Sequence, residues 1–156
     1  MVPPNKMSTS HLAHANVARM RGPIEDSVMA GFVERLEPLN SLADESPGFV
    51  WRYQTDEGDA TEIRVFNDEL ILFNMSVWES IEALENYVYR SNHIEALQKK
   101  AEWFERAGRA TLALWWIEAE HLPSVEEAKE RFDLLWCDGP SAAVFTFKDR
   151  FPSAQA

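Results

Sequence analysis

Two short sets of residues spaced by twos could do chemistry. His14 follows Leu12 and precedes Asn16; Asn74, Ser76 and Trp78 follow Leu72. In a β-strand, residues two apart share a face, so each set points to one side of its segment. An imidazole moves protons near neutral pH. Carboxamides and a hydroxyl orient a carbonyl or a phenol, and an indole packs against a ring. His93 is the other histidine of interest, and with His14 it could form an acid/base pair or a two-histidine metal site. No third ligand stands at a diagnostic spacing for a metal. Phe104 and Trp116 supply further apolar wall. A buried amide without a hydrogen bond costs on the order of 1–3 kcal/mol. Asn16, Asn74 and Ser76 therefore need either a structural network or a ligand pocket, which is mostly apolar with a few convergent polar groups.

The elements that must position these residues are readable from pattern. Residues 1–10 are polar and contain prolines, and read as a loose tail. His11–Met20 alternates as a first strand, ended by Gly22-Pro23. Asp26 or Ser27 can cap a helix with apolar residues from Val28 to Leu42. Pro38 inside it predicts a kink or a split. Phe49–Gln54 reads as a second strand, with Arg52 pairing an acidic residue of the fold rather than a ligand carboxylate as the favoured of two alternatives, and Ile63–Phe66 as an extension of its hairpin. Leu70–Trp78 is the strongest strand. Its face of Ile71, Phe73, Met75 and Val77 is wholly apolar and must be buried. Ser80–Arg106 is helical, with a break or bend predicted at Arg90-Ser91-Asn92. Ala110–Ile117 is a fourth strand that puts Trp115 and Trp116 on opposite faces. Ser124 and Glu127 form a capping box for a last helix that ends at Gly139-Pro140. Its Glu126–Arg131 run reads as a solvated face, and His11 and His121 as surface residues. Val144, Phe145 and Phe147 are too apolar for a free tail and read as a docking arm.

This order, β-α-β-β-α-β with an extra C-terminal helix, is that of an α+β, ferredoxin-like domain. We read residues 11–152 as one domain and 153–156 as a tail. With helices on one face, the opposite face is expected to be bare. A bare apolar face of that size calls for a partner, so a homodimer through the sheet is expected.

Bulk properties exclude several classes. The chain has 156 residues, enough for one domain with a real core. Its net charge is −11 and it shows no basic run, which argues against nucleic acid and anionic membranes as partners. The single cysteine, Cys137, excludes an internal disulfide and a multi-cysteine zinc site. No apolar run approaches a membrane span, and the first residues lack the apolar core of a signal peptide. A cytoplasmic protein is the expectation. Six tryptophans and nine phenylalanines imply an aromatic core, pocket or interface.

The runs Asn74-Met75-Ser76-Val77-Trp78-Glu79-Ser80, Glu82-Ala83-Leu84 and Tyr89-Arg90-Ser91-Asn92-His93 carry a resemblance. The chain resembles the dimeric α/β-barrel superfamily that contains the antibiotic-biosynthesis monooxygenases. More narrowly, it is similar to an uncharacterised bacterial family of that superfamily. Here the resemblance rests on Ser46–Arg52, Ala113–Ile117, His121–Arg131 and Phe145–Phe147, and spans nearly the whole chain. The wider superfamily implies a dimeric barrel fold. It includes cofactor-independent oxygenases, haem-degrading and haem-using enzymes, and small isomerases or dehydratases. In its haem-degrading members a first-strand Asn, a Trp near the end of the third strand and a His on the next helix make the site. Asn16, Trp78 and His93 stand on those elements here, which implies haem with His93 as ligand as one alternative.

The leading expectation is a small enzyme, needing no cofactor, acting on an aromatic or polyketide-like molecule by oxygenation or proton transfer. His93 or His14 would be the acid/base. Asn16, Asn74, Ser76, Trp78, Trp116 and Phe104 would bind the substrate, in a cavity bordered by Asn16, Asn74, Trp78 and His93. The remaining alternative is a non-catalytic binding module. One fold hosts many functions, so the site must decide.

Overall fold

A computed structural model describes residues 10–53, 70–95 and 100–153. The first strand, β1, spans Ser10–Arg19, so Ser10 belongs to the sheet rather than to the tail. Ser153, expected in the other tail, donates from its hydroxyl to Ser10 Oγ or accepts from it at 2.8 Å. A 3₁₀ turn at Ser27–Met29 follows, its amide at Val28 capped by Asp26 Oδ1. Helix α1 spans Ala30–Glu45 and runs through Pro38 without a break, so the predicted split is corrected. Strand β2 is short, Phe49–Arg52, and Arg52 pairs with Asp44 at 2.9 Å as expected. The predicted extension at Ile63–Phe66 lies outside the described residues. Strand β3 spans Ile71–Trp78, helix α2 Ile81–Glu95, and a short helix α3 Lys100–Trp103. Helix α2 passes through Arg90-Ser91-Asn92 intact, against the predicted break; Ser91 turns its hydroxyl onto the Val88 carbonyl of its own helix. Strand β4 spans Leu112–Glu118 and helix α4 Val125–Asp138, capped by Ser124 and closed at Gly139.

The four strands form one antiparallel sheet in the order β2-β3-β1-β4. The result is an α+β domain with helices on both sheet faces. One face carries Leu12, Trp78 and Leu114, and buries them against Ala43 of α1 and Leu84 of α2. The other carries Ala13, Ala15, Val17, Phe73, Met75, Val77, Ala113 and Trp115. They pack in one cluster with Ala128, Phe132 and Leu135 of α4. Here the expectation of a bare face is overturned. Phe73, Met75 and Val77 are no more than 1% exposed in the single chain. The C-terminal helix, not a partner, supplies cover, so the apolar row gives no ground for a dimer through that face.

The C-terminal arm docks as expected, and it does so on the β4 edge. Phe145 and Leu114 exchange both backbone hydrogen bonds at 2.8 Å, and Val144 and Phe145 are fully buried, one in each core layer. The Phe145 amide should therefore exchange with deuterium as slowly as the amides of β4. Exchange at the rate of an open loop would contradict the docking.

Gly48 makes the turn into β2. Its φ is +83°, and an added Cβ would sit 2.5 Å from the Ala83 Cβ of α2. Its carbonyl also accepts the Glu79 amide at 2.8 Å. Gly48→Ala should lose about 2 kcal/mol or more, from the left-handed backbone and the overpacking together. An unchanged urea midpoint would show that the turn relaxes freely.

Candidate functional site

Antiparallel register brings the two sets of residues side by side. Strands β1 and β3 pair Leu12 with Trp78, His14 with Ser76, and Asn16 with Asn74. Strand β4 adds Trp116, Leu114 and Leu112 to the same three rows. The face they share is the one under α1 and α2. Burial is graded along it. Trp78 is fully buried and His14 and Ser76 are nearly so, while Asn16 is half-buried and Asn74 exposed. The polar groups thus form a descent from solvent at the amides to a buried imidazole.

The deep end is a hydrogen-bonded row. The Trp78 indole donates from Nε1 to Ser76 Oγ at 2.8 Å, and Ser76 Oγ meets His14 Nδ1 at 3.0 Å. The Trp78 ring stacks on Tyr87 at 5.2 Å and meets the edge of Phe49 at 5.4 Å. Tyr87 in turn donates to the Leu39 carbonyl, tying α2 to α1. Burial pushes the His14 pKa down to about 4, so the ring is neutral at pH 7. A neutral imidazole next to two amides can hold a carbonyl, enol or phenol oxygen by hydrogen bonding.

The other expected residues distribute as follows. Phe104 sits past the open end, bridged to Met20 and clustered with Leu72 and Phe32. Leu72 precedes Asn74 by two on the same face, so Phe104 is placed to wall that end. Trp116 is not brought to the amides. It lies across β1 from Trp78, and its Nε1 donates to the Phe151 carbonyl, so it anchors the arm. His93 lies within α2, but its side chain is outside the described residues, and with it the His14–His93 pairing and the haem ligand. Among the described residues, no group of three or more His, Cys, Asp or Glu could hold a metal.

A second cluster escaped the sequence reading. Glu127 Oε1 lies 2.6 Å from His121 Nε2, and its Oε2 accepts the Trp115 indole N–H at 2.8 Å. Burial alone would raise this carboxyl, but the bonds from His121 and Trp115, with the charges of His121 and Arg131, outweigh it and hold it below the usual range. The Glu126–Arg131 run is therefore not wholly solvated. His121 is about half exposed, as expected of a surface residue, yet it is tied to α4. His121, Glu127 and Arg131, with Trp116, line an open depression of about 510 Å³. The Ser124 cap is legible in the sequence, but the reciprocal half of the capping box does not form: the Glu127 carboxylate turns to His121 and Trp115, which depends on where α4 docks.

No described helix is long and apolar enough to cross a membrane. No curated protein matches the chain. Among solved structures, SnoaB, a cofactor-independent oxygenase from Streptomyces nogalater, is 15% identical, with a TM-score of 0.45, covering 72% of this chain and 96% of its own. A protein of unknown function from Nitrosomonas europaea is 10% identical, with a TM-score of 0.47, covering 75% and 98%. A Pseudomonas aeruginosa protein is 13% identical, with a TM-score of 0.43, covering 75% and 98%. Residues 11–156, nearly the whole chain, match the domain of unknown function DUF3291, and the chain belongs to that family.

Proposed function

We propose that the chain is a small-molecule enzyme of the ferredoxin-like, antibiotic-biosynthesis-monooxygenase type, acting on an aromatic or polyketide-like substrate. The observation that carries this reading is the row from exposed Asn74 and half-buried Asn16 to neutral, buried His14 under the helices. A purely structural network has no need of two adjacent amides at the open end of such a row. The substrate ring would lie over the Asn16–Asn74 pair, toward Leu72 and Phe104. The amides would orient a carbonyl or phenol, and His14 would meet the reacting oxygen. Oxygenation of an activated phenol or enol, or proton transfer within it, is the chemistry proposed, with no cofactor required of the protein. The strand order β2-β3-β1-β4 supports the ferredoxin-like assignment. The resemblance to dimeric barrels supports a homodimer, through surfaces other than the face that α4 covers. Light scattering reads its mass.

The test is a titration with 1-naphthol followed by protein NMR. Shifts centred on the Asn16 and Asn74 side-chain amides and on His14 are expected, lost in an Asn16→Ala, Asn74→Ala double variant. Saturable binding that maps to the Glu127 depression, or no binding up to millimolar ligand, would overturn the reading.

A further inference from the structure

The hydrogen atoms of the buried row can be placed by elimination. An indole nitrogen only donates, so Ser76 Oγ must accept from Trp78 Nε1. A serine hydroxyl has one hydrogen of its own. If His14 Nδ1 also carried a proton, two donors would point at Ser76 Oγ. The serine hydrogen, on a residue 7% exposed, would then have no acceptor in any bond among the described residues. If instead Ser76 donates to Nδ1, the indole N–H, the serine hydroxyl and Nδ1 are all satisfied, and the one donor left over is the ring's own N–H. The indole bond also polarises the hydroxyl and strengthens its donation. The ring proton then resides on Nε2, the nitrogen on the far side of the ring from Ser76.

We infer that Trp78 is a positioning residue that acts through Ser76 to hold His14 as a neutral Nε2–H donor, so the site takes ligands that present an acceptor oxygen, a carbonyl or an enolate or phenolate, to that donor. His14 does not remove a proton in this arrangement. It stabilises negative charge on oxygen, as a preorganised donor in a dry site does. Burial reinforces the assignment, because a protonated ring would need Nδ1 to donate and would reverse the row. Where the ligand sits rests on the function proposed above; the tautomer does not.

The experiment is a two-bond ¹H–¹⁵N correlation spectrum of the full chain labelled at its four histidines, with His14 assigned by a His14→Phe variant. The expected signature is a protonated Nε2 and an unprotonated Nδ1 that accepts a hydrogen bond, unchanged between pH 8 and pH 6. In Ser76→Ala the Nδ1 resonance should move to that of a free lone pair. In Trp78→Phe, which keeps an aromatic ring, Ser76 is free to turn and the Nδ1–H form should gain population. A wild-type spectrum with the proton on Nδ1 overturns the inference. So does a His14 nitrogen pair unmoved by Trp78→Phe. If Trp78→Phe does not fold, wild type and Ser76→Ala decide between the two tautomers. Two probes test the ligand class. 1-Tetralone, which has a carbonyl, should shift the His14 Nε2 proton, and its affinity should fall about fivefold in Ser76→Ala, the loss expected of one weakened hydrogen bond. Tetralin, which lacks the carbonyl, should leave that proton unmoved. Tetralone bound without a shift at His14 removes the donor role. If neither 1-tetralone nor 1-naphthol binds, the proposed function fails while the tautomer result stands.

Discussion

Trp78→Ala should cost about 3–5 kcal/mol of folding stability, the range for emptying a fully buried large aromatic site. Trp78 ends β3 and is 0% exposed. Its ring lies between the sheet and two helices, stacked on Tyr87 of α2 and touching Phe49 at the start of β2. Those ring contacts add to the area lost, since aromatic pairs contribute about 0.5–1.5 kcal/mol beyond burial. The indole bond to Ser76 goes as well, and the polar row beneath it loses its anchor. A loss of this size is a large part of the roughly 5–15 kcal/mol by which a domain is typically stable. Urea unfolding followed by circular dichroism measures it. Trp78→Phe should lose less, because it keeps an aromatic ring and part of the packing. Equal midpoints for wild type and Trp78→Ala would mean that the ring is not part of the core.

The face that Trp78 belongs to is legible in the amino-acid sequence. Strict alternation in β3 separates Phe73, Met75 and Val77 from Leu72, Asn74, Ser76 and Trp78, and that division holds. Capping chemistry is equally readable: Ser124 accepts the Glu127 amide at 3.1 Å, as its spacing implies. What α4 covers is not. A helical period shows that Ala128, Phe132 and Leu135 share a stripe, but it names no surface for the stripe to meet. That gap is the source of the mistaken bare face. The predicted split at Pro38 and break at Arg90-Ser91-Asn92 fail for a related reason. Pro38 and Arg90-Ser91-Asn92 disfavour a helix locally, yet α1 and α2 are held by their buried faces, among them Leu39, Ala43 and Leu84, and tertiary packing overrides local propensity. The site is legible by half. Spacing by twos places His14 with Asn16 and Ser76 with Asn74. Only the register, across 62 residues, puts His14 opposite Ser76 and makes the row.

That row makes stability depend on pH in a specific window. His14 has a pKa of about 4 in the fold against 6.5 as the reference value, and the cause is burial. The folded-state value is depressed, so below pH 6.5 the unfolded chain takes up a proton that the native state refuses. The contribution of His14 is intact above pH 6.5 and declines as the pH falls toward 4, where the native ring itself becomes protonated. Integrated over that interval, the loss is about 3 kcal/mol. Carboxylates titrate at the lower end of the same range, so the raw stability curve mixes several groups. The difference between wild type and His14→Phe isolates the imidazole, since the other groups are common to both. Urea midpoints at pH 7.5, 6, 5 and 4.5 should therefore fall faster for wild type than for His14→Phe, with the gap growing from pH 6.5 downward. Parallel curves would mean that His14 is as easily protonated in the fold as in water. The buried neutral imidazole on which the proposed site depends would then not exist.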